Sequence, residues 1–290
     1  MKGAQTDGTR NPSQLILSPV PSAQKISRSP SSTLHFNILQ LTPLTPHSSW
    51  DNAYANELHN YSTNPDDEGT IWFSDCAAEE KVMMFLEEKL EEKKQQENAS
   101  GTEKNKGQEK DMTILDLGTG NGHMLFSLLE SETFTGAKMV GVDYSARSVE
   151  LARQIKLGKE NEGINTRNLQ FAKWDFLSRK AAAAAAEWFP HDQGGFDIVL
   201  DKGTFDAISL SGETDQQGKR IVEGYKGRVE ELVRRGGMLL ITSCNWTEEE
   251  LVGWVGGGRL VVEGRVRYPR WRFGGKEGQS VVSVCFRRRG

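Results

Sequence analysis

No part of this chain is apolar for long. A membrane-spanning helix needs roughly 18 to 20 consecutive apolar residues. The longest apolar run toward the C-terminus is Met238-Leu239-Leu240-Ile241, which excludes a membrane protein. Cysteine is scarce. Cys76, Cys244 and Cys285 are odd in number, far apart and without a Cys-x-x-Cys pair, so a disulfide framework and a structural zinc site are excluded. They read as small buried residues in a reducing compartment. The histidines (His35, His47, His59, His123, His191) are scattered without ligand spacing, and no metal is expected. Excess charge is missing too: 36 basic side chains face 40 acidic ones, a net charge of -4. That balance gives no blanket attraction to nucleic acid or anionic membrane. Arg287-Arg288-Arg289 reads as a solvated terminus. Met1–Gly8 is polar and has no apolar signal core, so the cytosol is the expected compartment.

What is present suffices for one domain: 290 residues, 36% of them hydrophobic, can bury a substantial core. Residues 1–47 stand apart, rich in Ser, Pro and Thr, with one acidic residue (Asp7) against four basic ones. Few large apolar residues occur there to offset the entropy of ordering, and a disordered leader is expected. Mitochondrial transit peptides share that composition, but arginines are sparse and Asp7 lies within the segment.

From residue 48 onward strands and helices alternate. The pattern predicts an amphipathic helix over Ala77–Glu92, a solvated linker over Gln95–Lys110, and strands at Thr113–Leu117, Lys138–Val142, Leu169–Ala172, Phe196–Leu200 and Gly237–Thr242. Helices are predicted at His123–Glu130, Ala146–Lys159 and Lys219–Val233, with an alanine-bearing insertion over 178–195. Thr247–Val255 reads as a capped helix, Thr247 and Glu250 forming the capping box. Two β-rich runs, Arg259–Val266 and Ser280–Phe286, close the chain around Gly274-Gly275 with no helix between them. The expected fold is Rossmann-like α/β: a mostly parallel sheet with an antiparallel C-terminal strand and helices on both faces.

The chemistry concentrates where strands end. Ile114-Leu115-Asp116-Leu117-Gly118-Thr119-Gly120-Asn121-Gly122 is an apolar strand running into a glycine turn that opens a helix. That arrangement presents backbone N–H groups to a ligand. A dinucleotide fingerprint needs its third glycine at position 123, which is His, and no Gly-Lys-Ser/Thr follows for a Walker A loop. Asp143 ends the second strand, 21 residues after Gly122, where a carboxylate accepts both hydroxyls of a ribose. Trp174-Asp175, just past the third strand, supply a ring for a purine and a carboxylate for its exocyclic amine. Each aspartate alone could merely cap a helix. Together, on successive strands, they suit an adenosine ligand that lacks a pyrophosphate.

With these residues the chain resembles the seven-strand, S-adenosylmethionine-dependent methyltransferases. Further segments resemble one subfamily, the protein-lysine methyltransferases that act on translation elongation factor 1-alpha. These are Trp50-Asp51-Asn52-Ala53-Tyr54 with Glu57-Leu58, Glu68 to Phe73, Asp201-Lys202-Gly203-Thr204-Phe205-Asp206-Ala207-Ile208, Thr242 to Thr247, and Phe273 to Gln279. The similarity runs from about Trp50 to Phe286. It implies that Asp116, Gly118, Gly120 and Gly122 form the turn beside the methionine moiety. Asp143 would hold the ribose, Trp174 and Asp175 would flank the adenine, and Trp72-Phe73 would close the site. Asp201 would stand at the mouth as the catalytic residue, docking the incoming ammonium. S-adenosylmethionine is the implied donor, without a metal. Elongation factor 1-alpha is the implied protein substrate, met by a cytoplasmic monomer without nucleic acid or membrane.

Only a neutral lysine attacks a sulfonium, and a free lysine has a pKa of about 10.4, so a partly dry site must lower it. Trp72, Phe73 and Trp246 are either walls for a cation or ordinary core. Asp206 either supports the Asp201 loop or caps a helix. Lys202 is a poor general base, because its charge would be repelled by the sulfonium. The alternative is a methyltransferase of the same fold acting on RNA or a small molecule. Against a nucleic-acid base, Asp201-Lys202-Gly203-Thr204 lacks the Asn/Asp-Pro-Pro-aromatic turn common in those enzymes.

Overall fold

Seven strands share one sheet, in the spatial order Leu169–Lys173, Lys138–Asp143, Thr113–Leu117, Phe196–Lys202, Val233–Ser243, Val282–Arg288 and Leu260–Val266. The computed structural model describes residues 46–99, 111–178, 186–273, 276–278 and 280–290. The strands are β1 (Thr113–Leu117), β2 (Lys138–Asp143), β3 (Leu169–Lys173), β4 (Phe196–Lys202), β5 (Val233–Ser243), β6 (Leu260–Val266) and β9 (Val282–Arg288). β1 to β5 run parallel, and β9 pairs antiparallel with both β5 and β6. The last strand is antiparallel as expected, but it is inserted between β5 and β6 rather than added at the edge. The short hairpin of β7 (Trp271–Phe273) and β8 (Lys276–Gly278) lies in the connection between β6 and β9.

Helices cover both faces. α1 (Pro46–Thr63), α2 (Ala78–Ala99), α3 (His123–Glu130) and α4 (Ala146–Asn161) bury Tyr61, Phe85, Leu86, Leu125 and Ile155 against one face. α5 (Thr204–Leu210), α6 (Tyr225–Leu232) and α7 (Glu248–Val255) bury Phe205, Tyr225, Val229 and Leu251 against the other. Side chains alternate along a strand, so Ile114 faces the first layer while Leu115 and Leu117 face the second. By the same alternation Asp116 and Asp143 face the α1–α4 layer and Asp201 faces α5–α6. The chain changes direction across the sheet between β1 and β4, which opens a crevice at their carboxyl ends.

The structure departs from the sequence reading in several places. The leader over 1–47 lies outside the described residues except for its last two, which already belong to α1. Residues 95–99 of the expected linker continue α2, whose Glu and Lys residues favour helix; 100–110 lie outside the described residues, as do 179–185 of the insertion. The helix expected over Lys219–Val233 shrinks to a 3-10 turn, Ile221–Gly224, and α6. β5 begins at Val233 rather than Gly237, because Gly236 (φ 76°) and Gly237 are absorbed into the strand as an irregularity against Phe196. Thr247 and Glu250 do form the capping box of α7. Of the cysteines, Cys285 is buried, Cys76 half-buried and Cys244 exposed. Among the described residues no helix is long and apolar enough to cross a membrane.

Candidate active site

The glycine turn is pinned to β2. Gly118 N and Thr119 N both donate to Val142 O, at 2.8 and 2.9 Å. Gly118, Gly120 and Gly122 have φ of 71°, 58° and 83°, the left-handed region that glycine enters without strain. Space demands glycine as well. A Cβ at position 118 would stand 2.0 Å from Thr204 Oγ1, and one at 122 would stand 2.6 Å from Phe171 Cζ. Behind the turn Asp116 is buried and accepts from Thr119 Oγ1 at 2.8 Å. Burial pushes its carboxyl up to about 6, against the opposing pull of the Thr119 hydroxyl.

Asp143 locks the turn from the next strand. Its Oδ2 accepts from Gly120 N at 3.2 Å and its Oδ1 from Ser145 N at 2.9 Å. Burial raises this carboxyl and the two backbone donors oppose the rise. A carboxylate offers about four acceptor directions, so capacity remains for a pair of ligand hydroxyls. α1 docks on the same spot. Asp51 accepts from Ser145 Oγ, and the Tyr54 hydroxyl lies 2.8 Å from where a Cβ at Gly120 would stand. Burial, then the Asp143 charge, raises the Tyr54 phenol well above its ordinary value, so the hydroxyl over the turn is neutral. The sequence reading gave neither residue a role. The signal was present, since Trp50, Tyr54, Leu58 and Tyr61 recur at helical spacing.

At the end of β3, Trp174 N donates to Asp143 O at 2.8 Å. The indole meets Phe176 and Trp188 edge-on, at 5.7 and 5.3 Å between centroids. Its Nε1 is buried with no partner among the described residues. Asp175 spends one oxygen on Leu177 N at 2.9 Å. On the N-terminal side Trp72 is half-buried against Trp50, and the ring of Phe73 packs on Gly203. Asp116, Gly118, Gly120, Gly122, Asp143, Trp174 and Asp175 thus share the carboxyl ends of β1 to β3, with Trp72-Phe73 beside the loop after β4.

Asp201 is placed differently from the expectation. It is 1% exposed; Oδ2 accepts from the Tyr225 hydroxyl at 2.6 Å and Oδ1 from Phe205 N at 3.0 Å. Strand alternation turns this carboxylate into the α5–α6 layer, so it does not stand open at the mouth. Burial foremost pushes it up to about 7, against both donors. Asp206 supports the neighbouring loop, accepting from Ser243 Oγ at 2.5 Å and Cys244 N at 2.9 Å. Trp246 is half-buried and packs against the core: its ring meets Phe205 and Trp254, and Nε1 donates to Ser209 Oγ at 2.8 Å. Among the described residues no group of three or more His, Cys, Asp and Glu is arranged to hold a metal ion.

A mostly parallel sheet with this switch point and an antiparallel β9, a left-handed glycine turn and a buried carboxylate ending β2 define an S-adenosylmethionine-dependent methyltransferase of the seven-strand class. Residues 108–268 match the family described as "Methyltransferase domain". The chain is 42% identical to protein-lysine N-methyltransferase EFM4 of Saccharomyces cerevisiae, over 82% of this chain and 91% of that one. It is 35% identical to efm4 of Schizosaccharomyces pombe, over 82% and 90%. It is 30% identical to EEF1A lysine methyltransferase 2 of Homo sapiens, over 82% and 84%. The chain belongs to this family of protein-lysine N-methyltransferases.

The residues present fit S-adenosylmethionine. Glycines keep the turn bare, Asp143 retains acceptor capacity, and the carboxylates of Asp116 and Asp143 suit a ligand bearing cationic groups.

Proposed function

We propose that this chain transfers methyl groups from S-adenosylmethionine to a lysine side chain of translation elongation factor 1-alpha. It does so as a cytoplasmic monomer, without nucleic acid or membrane as partner. The observation that carries this reading is the 42% identity, across nearly the whole of the curated relative, to a protein-lysine N-methyltransferase. Relatives at 30 to 34% are named for the same acceptor, EEF1A.

When bound, the cofactor supplies an electrophilic methyl on a cationic sulfur. The chain's residues bind and orient. Asp143 would accept the ribose hydroxyls, the Gly118–Gly122 turn would hold the methionine moiety, and Trp174 with Asp175 would flank the adenine. Trp72 and Phe73 exclude water from the side where the acceptor enters, and that dryness favours the neutral amine. Alignment of the two reactants supplies most of the rate gain. Asp201 serves turnover as a positioning residue: through Phe205 N and Tyr225 it fixes the loop from Lys202 to Thr204 beside the glycine turn, where Thr204 Oγ1 donates to Leu117 O at 2.7 Å.

Incubating the purified chain with methyl-labelled S-adenosylmethionine and purified elongation factor 1-alpha tests the reading. Label in a lysine of the factor is expected. Label confined to RNA or a metabolite in a whole extract would overturn it.

A further inference from the structure

Beside the loop after β4 lies a charged cluster, built on a buried carboxylate with two half-buried partners, that the binding roles above do not use. Glu79, the second residue of α2, is 7% exposed. Its Oε2 lies 2.6 Å from His123 Nδ1 and its Oε1 3.2 Å from Lys202 Nζ. Burial raises this carboxyl, but His123 and Lys202 outweigh burial and hold it below its ordinary value. An ionised carboxylate only accepts, so Nδ1 carries the proton of that bond.

The three residues belong to three different parts of the site. His123 opens α3 directly after Gly122, and Lys202 closes β4 directly before Gly203. Lys202 Nζ also donates to Trp72 O at 3.4 Å and lies 6.0 Å from the centre of the Phe73 ring. Phe73 and Ala77, either side of a short 3-10 turn, have φ of 64° and 52°. Left-handed backbone at such residues persists only where surrounding contacts impose it.

Electrostatics gives the pairing a consequence for the ligand. Strand alternation puts Lys202 on the same face as Asp116 and Asp143, the face on which the glycine turn opens. Asp116 responds to Lys202 and Glu79 with opposite sign, the first lowering and the second raising its carboxyl. An uncompensated ammonium there would repel a sulfonium. We propose that Glu79 is a positioning residue whose buried carboxylate cancels the charge of Lys202, so that the site accepts a cationic sulfur, while anchoring the Phe73–Ala77 turn to the loop after β4. This rests on the methyl-donor reading of the site and not on the identity of the acceptor.

Calorimetric binding of S-adenosylmethionine and of S-adenosylhomocysteine, whose sulfur is neutral, tests it. Glu79→Gln is expected to weaken S-adenosylmethionine about tenfold and S-adenosylhomocysteine less than about threefold, a difference of one uncompensated charge. Lys202→Met is expected to shift the preference the opposite way, toward S-adenosylmethionine, and carries the test alone if Glu79→Gln does not fold. The Glu79→Gln/Lys202→Met pair is expected to return the ratio toward that of the parent chain. An unchanged ratio in the folded single variants, confirmed by circular dichroism, would overturn the proposal. No acceptor enters the measurement, so a wrong acceptor leaves it intact. Failure of the parent chain to bind either ligand would overturn the methyl-donor reading and this proposal with it.

Discussion

The Tyr225 hydroxyl donates to Asp201 Oδ2 across 2.6 Å, in an interior where both side chains are about 1% exposed. The pair ties α6 to the end of β4, and the carboxyl it involves is pushed up to about 7 by burial. An unfolded aspartate titrates near 3.9, so between about pH 4 and pH 7 the unfolded chain releases a proton that the folded chain keeps. Folded stability therefore falls through Asp201 as pH rises over that window, and levels above it. Asp201→Asn keeps the shape and removes the titration. The stability of the parent chain relative to this variant is expected to decline from about pH 4 to about pH 7, by thermal melting of both. A gap independent of pH would contradict the burial of this carboxyl.

Asp201→Ala leaves the Tyr225 hydroxyl and Phe205 N–H without their acceptor, an expected loss of about 1–3 kcal/mol by urea denaturation. Turnover is expected to fall with it while cofactor affinity changes less. Unchanged turnover in the folded variant would remove Asp201 from the account.

The glycine turn makes a third prediction, which needs a control. Gly136 and Gly122 have similar φ, 86° and 83°, but a Cβ at 136 meets nothing within 4 Å while one at 122 meets the rings of Phe171 and Phe126. Gly136→Ala is expected to cost about 1–2 kcal/mol, the left-handed penalty alone. Gly122→Ala adds overpacking of about 1–3 kcal/mol. Urea midpoints give the comparison, and equal losses would show that packing does not hold Gly122.

Asp143→Asn converts one of two acceptor oxygens into a donor, facing either Gly120 N or Ser145 N. Affinity for S-adenosylmethionine is expected to fall about tenfold or more, read by calorimetry. Parent-like affinity would mean that the ribose is held elsewhere.

Much of this was legible because it is local. Strand alternation, the Gly118–Gly122 spacing and the Thr247/Glu250 capping box need only neighbours in the chain, and β1, β2 and α3 fall within a residue of where the pattern puts them. What was missed is tertiary. Asp201 and Lys202 are adjacent, and which of them faces the α5–α6 layer and which the glycine turn follows only once β4 is seated between β1 and β5. Glu79 reaches His123 and Lys202 across 44 and 123 residues of sequence, a juxtaposition that no periodicity announces. α1 was overlooked because its polar surface diluted the Trp50, Tyr54, Leu58, Tyr61 stripe.

The most direct measurement of the central claim is peptide mass spectrometry of elongation factor 1-alpha after incubation with S-adenosylmethionine and this chain, beside the Asp143→Asn variant. Methyl groups on a lysine of the factor are expected with the parent chain, and a strongly reduced yield with the variant at equal, limiting cofactor. An unmethylated factor, from a parent chain shown to bind S-adenosylmethionine, would contradict it.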